Sequence, residues 1–219
     1  MKRIIITGTS RGIGKALANH LHAQGHEVIA LSRQSETDAP YTVIEMDFTN
    51  ESQYDRLDAV LAKGPIDAVI HNAGTLINKP FEELTTADFE YVYKVNVFGL
   101  AALTRRLIPA LQPGSHVVTV SSMGGIQGSS KFPGLAAYSS SKGAVITLSE
   151  LLAEEYKERG ISFNVLALGA VQTEMLGEAF PGYIAPLNAE EMANYIADFA
   201  LNAHKYYNGK VLQVACTTP

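Results

Sequence analysis

Tyr138 and Lys142 stand four residues apart in AAYSSSKG, residues 136–143. On a helix that spacing puts both side chains on one face, one turn apart, an ammonium beside a phenol. A free phenol titrates near 10 and is a poor base at neutral pH. A cation held next to it stabilises phenolate and lowers that value, so the pair is one way to make an acid and a base from tyrosine.

A second constellation sits at the start of the chain. The apolar run RIIIT empties into TGTSRGIG, residues 7–14, and an amphipathic helical pattern follows at once. Gly8, Gly12 and Gly14 allow a tight turn, close approach of a pyrophosphate to backbone N–H groups, and close helix-to-strand packing. Ser10, Arg11 and Ile13 complete the turn, and the helix N-terminus favours negative charge. A glycine-rich turn alone can be a mere connection. Its place after the first strand of a βαβ unit is the context dinucleotide binding requires.

The second strand indicates which dinucleotide. NAD sites offer a carboxylate about 20 residues beyond the glycines for the ribose hydroxyls, whereas arginine accommodates the 2′-phosphate of NADP. Here IALSRQ supplies Ser32 and Arg33, with no acid before Glu36. Arg11 adds a second cation for the same phosphate. An isolated arginine is more often a surface residue, but this joint placement favours NADP (NADPH) over NAD.

The elements that must position these groups follow from periodicity. Apolar, β-branched runs (RIIIT, EVIALS, TVIEMDF, DAVIHNAG, HVVTVSS, ISFNVLAL, GKVLQVAC) alternate with helical stretches, among them about Thr86 to Leu111, Leu135 to Arg159 and Ala189 to Asn202. Strands apolar along their whole length, alternating with helices, predict an α/β fold with a doubly wound parallel sheet covered on both faces. Gly25, Gly64 and Gly160 mark helix ends. No repeat or linker divides residues 1–219, so a single domain is expected; the serine- and glycine-rich segment 121–130 reads as a loop.

Composition narrows the partners. With 47% hydrophobic and 18% charged residues the chain is ordinary globular material, and a net charge of −5 provides no basic field for nucleic acid or an anionic membrane. The N-terminal apolar stretch is too short for a signal-peptide core or a span, which predicts a cytoplasmic protein. Cys216, the one cysteine, excludes an internal disulfide and reads as a packing residue. No His/Asp/Glu cluster suggests a metal, and His20, His22 and His26 are expected to face water.

Taken in order, these features resemble the short-chain dehydrogenase/reductase family over nearly the whole chain. The matching elements are TGTSRGIG, Asp47 after the third strand, HNAG at 71–74, Asn96 in the fourth helix, Ser122 after the fifth strand, Tyr138-x-x-x-Lys142, and LGAVQTEM at 168–175. The resemblance implies a Rossmann-type three-layer fold and an oxidoreductase reducing a ketone or aldehyde, or running in reverse. Tyr138 would be the general acid/base, Lys142 would hold the nicotinamide ribose and tune the phenol, and Ser122 would hydrogen-bond the substrate oxygen. Asn96 would anchor a water that links Lys142 to solvent.

It further implies that Asp47 and Phe48 border the adenine and that Asn72, Ala73, Gly74 and Val95 line the cofactor cleft. Gly169, Val171 and Thr173 would close it, Thr173 on the nicotinamide amide or the pyrophosphate. Three of the implied residues have a plainer reading: Asp47 as a helix-start residue, Asn72 as a tie between strands, Asn96 as a polar residue on a solvated face. The chain departs from the family pattern at His71, where asparagine is usual, at Leu168-Gly169 in place of Pro-Gly, and in a longer loop between Ser122 and Tyr138. Met175, Leu176, Phe180 and Tyr183 form a small apolar lid, and the VACTTP tail lacks the usual Gly-Gly ending. Similar proteins dimerise through the helices starting near Thr86 and Leu135, so a homodimer or homotetramer is expected. A catalytically idle NADP sensor or scaffold, and an epimerase or dehydratase on the same fold, remain the alternatives.

Overall fold

The computed structural model describes residues 1–34 and 38–216. In chain order its elements are β1 (Arg3–Thr7), α1 (Gly12–Ala23), β2 (Glu27–Ser32), β3 (Thr42–Glu45), α2 (Asp58–Leu61), β4 (Ile66–His71), α3 (Thr86–Tyr93), α4 (Leu100–Leu107), β5 (Leu111–Ser122), α5 (Ala136–Glu155), β6 (Ser162–Leu168), β7 (Val171–Gln172), α6 (Glu174–Ala179), β8 (Leu187–Asn188), α7 (Ala189–Asn202) and β9 (Val211–Val214). Seven strands form one sheet in the order β3-β2-β1-β4-β5-β6-β9, every neighbouring pair parallel. The doubly wound single domain expected from the alternation is what forms.

The inner strands β1, β2, β4, β5 and β6 are buried on both faces over most of their length, which is why they read as apolar runs, whereas the edge strands β3 and β9 stay partly exposed. Ile4 and Ile6 of β1 pack into the layer with α1 and α7, while Ile5 between them packs into the opposite layer with α4 and Phe163. All three isoleucines have no exposed surface. The chain moves from β1 outward to β3, then returns to place β4 on the other side of β1. That reversal opens a crevice beyond the carboxyl ends of β1 and β4, where open α/β sheets bind ligands.

Two helical stretches depart from expectation. The run from Thr86 is not one α-helix: a π turn at Lys94–Gly99 separates α3 from α4, and a 3₁₀ turn at Ile108–Ala110 ends it. An added Cβ on Gly99 would lie 2.7 Å from the Phe48 carbonyl oxygen, so the π turn brings backbone against backbone there. The helical stretch ESQYDRLDAVLAKG, which Gly64 is expected to end, is largely a 3₁₀ helix, Glu51–Leu57, with only the short α2 beyond it. Thr85 and Asp88 start α3 with a reciprocal capping box.

Candidate active site

A cleft of about 550 Å³ runs along the carboxyl ends of β1 to β6. Every site residue expected from the sequence lines it except Gly14 and Asn96, which stand directly behind its wall.

At the nucleotide end the ends of β1 and β4 are tied together. The Thr7 hydroxyl oxygen accepts from the backbone N–H groups of Asn72 (3.0 Å) and Ala73 (2.9 Å), and the Asn72 amide donates to the carbonyls of Thr7 (3.1 Å) and Gly8 (3.2 Å). Asn72 is therefore both the interstrand tie and a cleft residue. Gly8 has φ +74, and a Cβ there would meet Ala73 Cα at 2.7 Å; one on Gly14 would meet the Gly8 carbonyl oxygen at 2.1 Å and Asn72 Nδ2 at 2.5 Å. These positions admit only glycine. Arg11 precedes α1 without capping it through its side chain, and the helix has no acidic residue in its first turn. The first-turn N–H groups are thus free of a side-chain competitor, a cradle that fits a pyrophosphate.

The cations are arranged less simply. The Arg11 guanidinium grips Glu178 of α6 with both terminal nitrogens, Nη2 to Oε2 at 2.9 Å. Ser32 is buried and donates its hydroxyl to the Gln34 carbonyl at 2.5 Å, while Arg33 lines the open cleft. Asp47 accepts from the backbone N–H and the hydroxyl of Thr49, each at 2.8 Å. The Thr49 backbone bond leads in holding this carboxyl below its usual range; its hydroxyl and the charges of Arg33 and Lys94 add to it, against some loss of solvation. Glu36, the first acid after β2, lies outside the described residues.

At the catalytic end, α5 presents Tyr138 and Lys142 on one face as the spacing demands: Lys142 Nζ lies over the phenol ring, 5.7 Å from its centroid. Lys142 is buried and donates to the Val120 carbonyl at 2.8 Å, and burial pushes its pKa down to about 8. The phenol moves against expectation. Burial pushes Tyr138 up to about 12, and the Ser122 hydroxyl bonded to it only partly offsets this. Removing water from a phenolate costs more than an ammonium over the ring returns. Ser122 ends β5, its oxygen also accepting from the Gly124 N–H at 3.2 Å.

Asn96 sits in the π turn, buried rather than solvated. Its Oδ1 accepts from the Thr75 N–H (2.8 Å), and its Nδ2 donates to the Thr75 carbonyl (3.0 Å) and the Ser141 hydroxyl (2.9 Å). A Cβ built on Gly74 would lie 3.5 Å from both Asn96 Oδ1 and Lys142 Nζ, so Gly74 lets the two come close. Thr7, Thr75 and Ser141, which hold this frame, carry no spacing signal that sequence reading can use.

Residues 2–183 match the family model for short chain dehydrogenases. This chain belongs to the short-chain dehydrogenase family. It is 32% identical to oxidoreductase BOA17 of Botryotinia fuckeliana, over 94% of this chain and 78% of that one. To the NADPH-dependent pterin aldehyde reductase of Arabidopsis thaliana it is 31% identical, over 82% and 78% respectively. The ligand-free aldohexose dehydrogenase of Thermoplasma acidophilum superposes with a TM-score of 0.88 at 26% identity, covering 98% of this chain and 92% of that one. It is thus an oxidoreductase family whose members bind a nicotinamide cofactor.

Against that family's pattern, His71 proves to be a packing residue. It is 3% exposed, and its Nε2 lies 2.9 Å from the Thr104 hydroxyl, whose own proton goes to the Leu100 carbonyl at 2.8 Å. The imidazole is therefore the donor, and burial pushes its pKa down to about 4. Gly169 donates its N–H to the Val214 carbonyl at 2.9 Å, and Thr173 caps α6 by accepting from the Leu176 N–H at 3.3 Å. Met175, Leu176, Phe180 and Tyr183 line the cleft as the expected lid. Cys216 is exposed just past β9 at the sheet edge, not packed. His20, His22 and His26 are all half-buried rather than fully in water, His26 accepting from the Lys2 N–H at 3.2 Å. Among the described residues no helix is long and apolar enough to cross a membrane.

Proposed function

We propose that the protein is an NADPH-preferring carbonyl reductase acting on a small ketone or aldehyde, an alcohol dehydrogenase in reverse. The observation that carries this is the trio of half-buried Ser122 and Tyr138 with buried Lys142 at one end of a cleft with a pyrophosphate cradle at the other. The bound nicotinamide would supply hydride to the carbonyl carbon or accept it. Tyr138, with its pKa near 12, stays protonated at neutral pH and is set to give its hydroxyl proton to the carbonyl oxygen. Ser122 orients that oxygen by hydrogen bonding, where charge develops. The Lys142 ammonium then stabilises the phenolate left behind until a proton returns along the Asn96 side.

Arg11 at the glycine turn and Arg33 at the adenosine end support NADPH over NADH, as does the likeness to an NADPH-dependent aldehyde reductase. Phe98 in the π turn and Leu151 on α5 are 60% and 63% exposed, which supports pairing of copies through these helical faces as a homodimer or homotetramer. The cytoplasm is the compartment expected from the sequence.

The test is oxidation of NADPH and NADH against ketones, aldehydes and diketones, with Tyr138→Phe alongside. The expected result is preferential NADPH consumption by the wild type and loss of turnover with retained cofactor affinity in the variant. NADPH binding with no turnover of any carbonyl, unaffected by the substitution, would move the assignment to an NADP-binding sensor.

A further inference from the structure

We infer that the substrate end of the cleft selects uncharged, largely apolar ketones and aldehydes, aromatic or alicyclic, over carboxylated, phosphorylated or polyhydroxylated ones. This inference rests on the reductase reading and names its substrate class.

The charged residues of the cleft wall all have places elsewhere. Arg11 and Glu174 flank the glycine turn, Glu174 Oε2 standing 3.4 Å from where a Gly12 Cβ would be. Arg33 and Asp47 follow β2 and β3 at the adenosine end. Lys142 is buried with its ammonium on the Val120 carbonyl. The rest of the wall is largely apolar, and Tyr91, Met123, Phe132, Leu135, Phe180 and Tyr183 are among its residues.

Three segments converge to build this wall. Met123 follows Ser122 directly, and Leu135 stands at the start of α5 with its N–H on the Phe132 carbonyl. The Lys79 N–H donates to the Gly134 carbonyl at 3.1 Å, and the Asn78 amide donates to the Ala179 carbonyl at the end of α6 at 2.9 Å. The loop after β4, the long loop before α5 and the lid therefore close on one another. α3, which carries Tyr91, packs on α5 beside them.

Tyr91, Phe132 and Tyr183 remain 43%, 43% and 49% exposed at this mouth, although they are large rings beside a cleft. A flat apolar ligand would cover them and gain from leaving water. A carboxylate or phosphate in the same place would lose its hydration with no cation among the described wall residues beside it except Lys142, whose ammonium is buried on the Val120 carbonyl. The hydroxyls of a sugar would outnumber the few polar side chains offered there, the hydroxyls of Ser122, Tyr138 and the two rim tyrosines among them.

The experiment measures kcat/KM with NADPH for acetophenone and cyclohexanone against pyruvate and glyceraldehyde, in wild type, Phe132→Ala and Phe132→Arg. Saturation-transfer NMR of acetophenone and pyruvate runs in parallel on the cofactor-free and NADP-loaded protein. Support is a preference of about tenfold or more for the apolar ketones, a raised KM for acetophenone in Phe132→Ala, and a shift toward pyruvate in Phe132→Arg. Equal or better turnover of pyruvate or glyceraldehyde by the wild type overturns the inference while leaving the reductase reading intact. Should no carbonyl be turned over, that reading falls and the NMR decides. Acetophenone contact that Phe132→Ala weakens upholds the apolar subsite; no acetophenone contact, or equal pyruvate contact, ends it.

Discussion

Arg11 of the glycine turn and Glu178 of α6 form a two-pronged ion pair across the mouth of the cofactor cleft, although 167 residues separate them. If Arg11 is the cation that meets a 2′-phosphate, as proposed, Glu178 already occupies its donor fork. On that proposal carboxylate and phosphate would compete for Arg11, and a nucleotide that won it would also free α6. Glu178→Gln is expected to tighten 2′-phosphorylated nucleotides by about two- to fivefold, the span an exposed ion pair supplies, and to leave NADH unchanged. Calorimetric titration with 2′,5′-ADP and with 5′-AMP checks this. Equal tightening of both, or of neither, removes Glu178 from cofactor selection.

Tyr138 and Lys142 start from similar ordinary values and are driven apart by burial, the phenol up to about 12 and the ammonium down to about 8. Through neutral pH the phenol holds its proton and the lysine its charge, so reduction is supported. As pH rises through about 8 the ammonium is lost while the phenol stays protonated, so kcat for reduction is expected to fall with a midpoint there. Tyr138→Phe is expected to lose about 10²- to 10⁴-fold in kcat with NADPH affinity retained. A pH profile from 6 to 10 that stays flat would disconnect the Lys142 charge from the rate.

Much of this site is legible in sequence because its signals are local. The glycine turn and the tyrosine–lysine pair each lie within one strand–helix junction or one helical turn, where spacing alone fixes which groups meet. The rest depends on distant packing. Asn96 can be counted into the fourth helix, but the π turn that buries it widens the winding without changing residue types. Thr7, Thr75 and Ser141 act through partners 21 to 66 residues away. The direction of the Tyr138 shift follows from how deeply the phenol is buried, which a four-residue spacing does not encode.

Gly14 stands where α1 crosses the end of β1, and the carbonyl it would strike is fixed by the Asn72 amide and the Thr7 tie. The obstacle is backbone, so it has little room to yield. Gly14→Ala is expected to destabilise the fold by about 1–3 kcal/mol, the range for overpacking a close contact, and to abolish NADPH binding. Gly177→Ala, on α6 with nothing within 4 Å of an added Cβ, serves as the control and keeps its stability. Urea unfolding and NADPH fluorescence titration of both variants test the pair, and a fully stable Gly14→Ala would show that the turn relaxes.

His71 and His116 are buried and neutral, each pushed down to about 4, His71 by burial alone. His116 is held as the Nδ1-protonated form, donating to the Ala200 carbonyl at 3.0 Å and accepting from the Asn164 amide at 2.9 Å. An unfolded histidine titrates near 6.5, so between that value and about 4 the unfolded chain takes up protons the native one refuses. Stability from this source is complete above pH 6.5 and is lost as pH falls toward 4. At pH 5 each histidine costs roughly 2 kcal/mol relative to neutral pH. Replacing His71 by asparagine removes one of the two, so the drop in unfolding free energy between pH 7 and pH 5 is expected to shrink by about that amount. Denaturant unfolding at both pH values measures the difference, and an identical drop in wild type and His71→Asn would place the acid sensitivity in other groups.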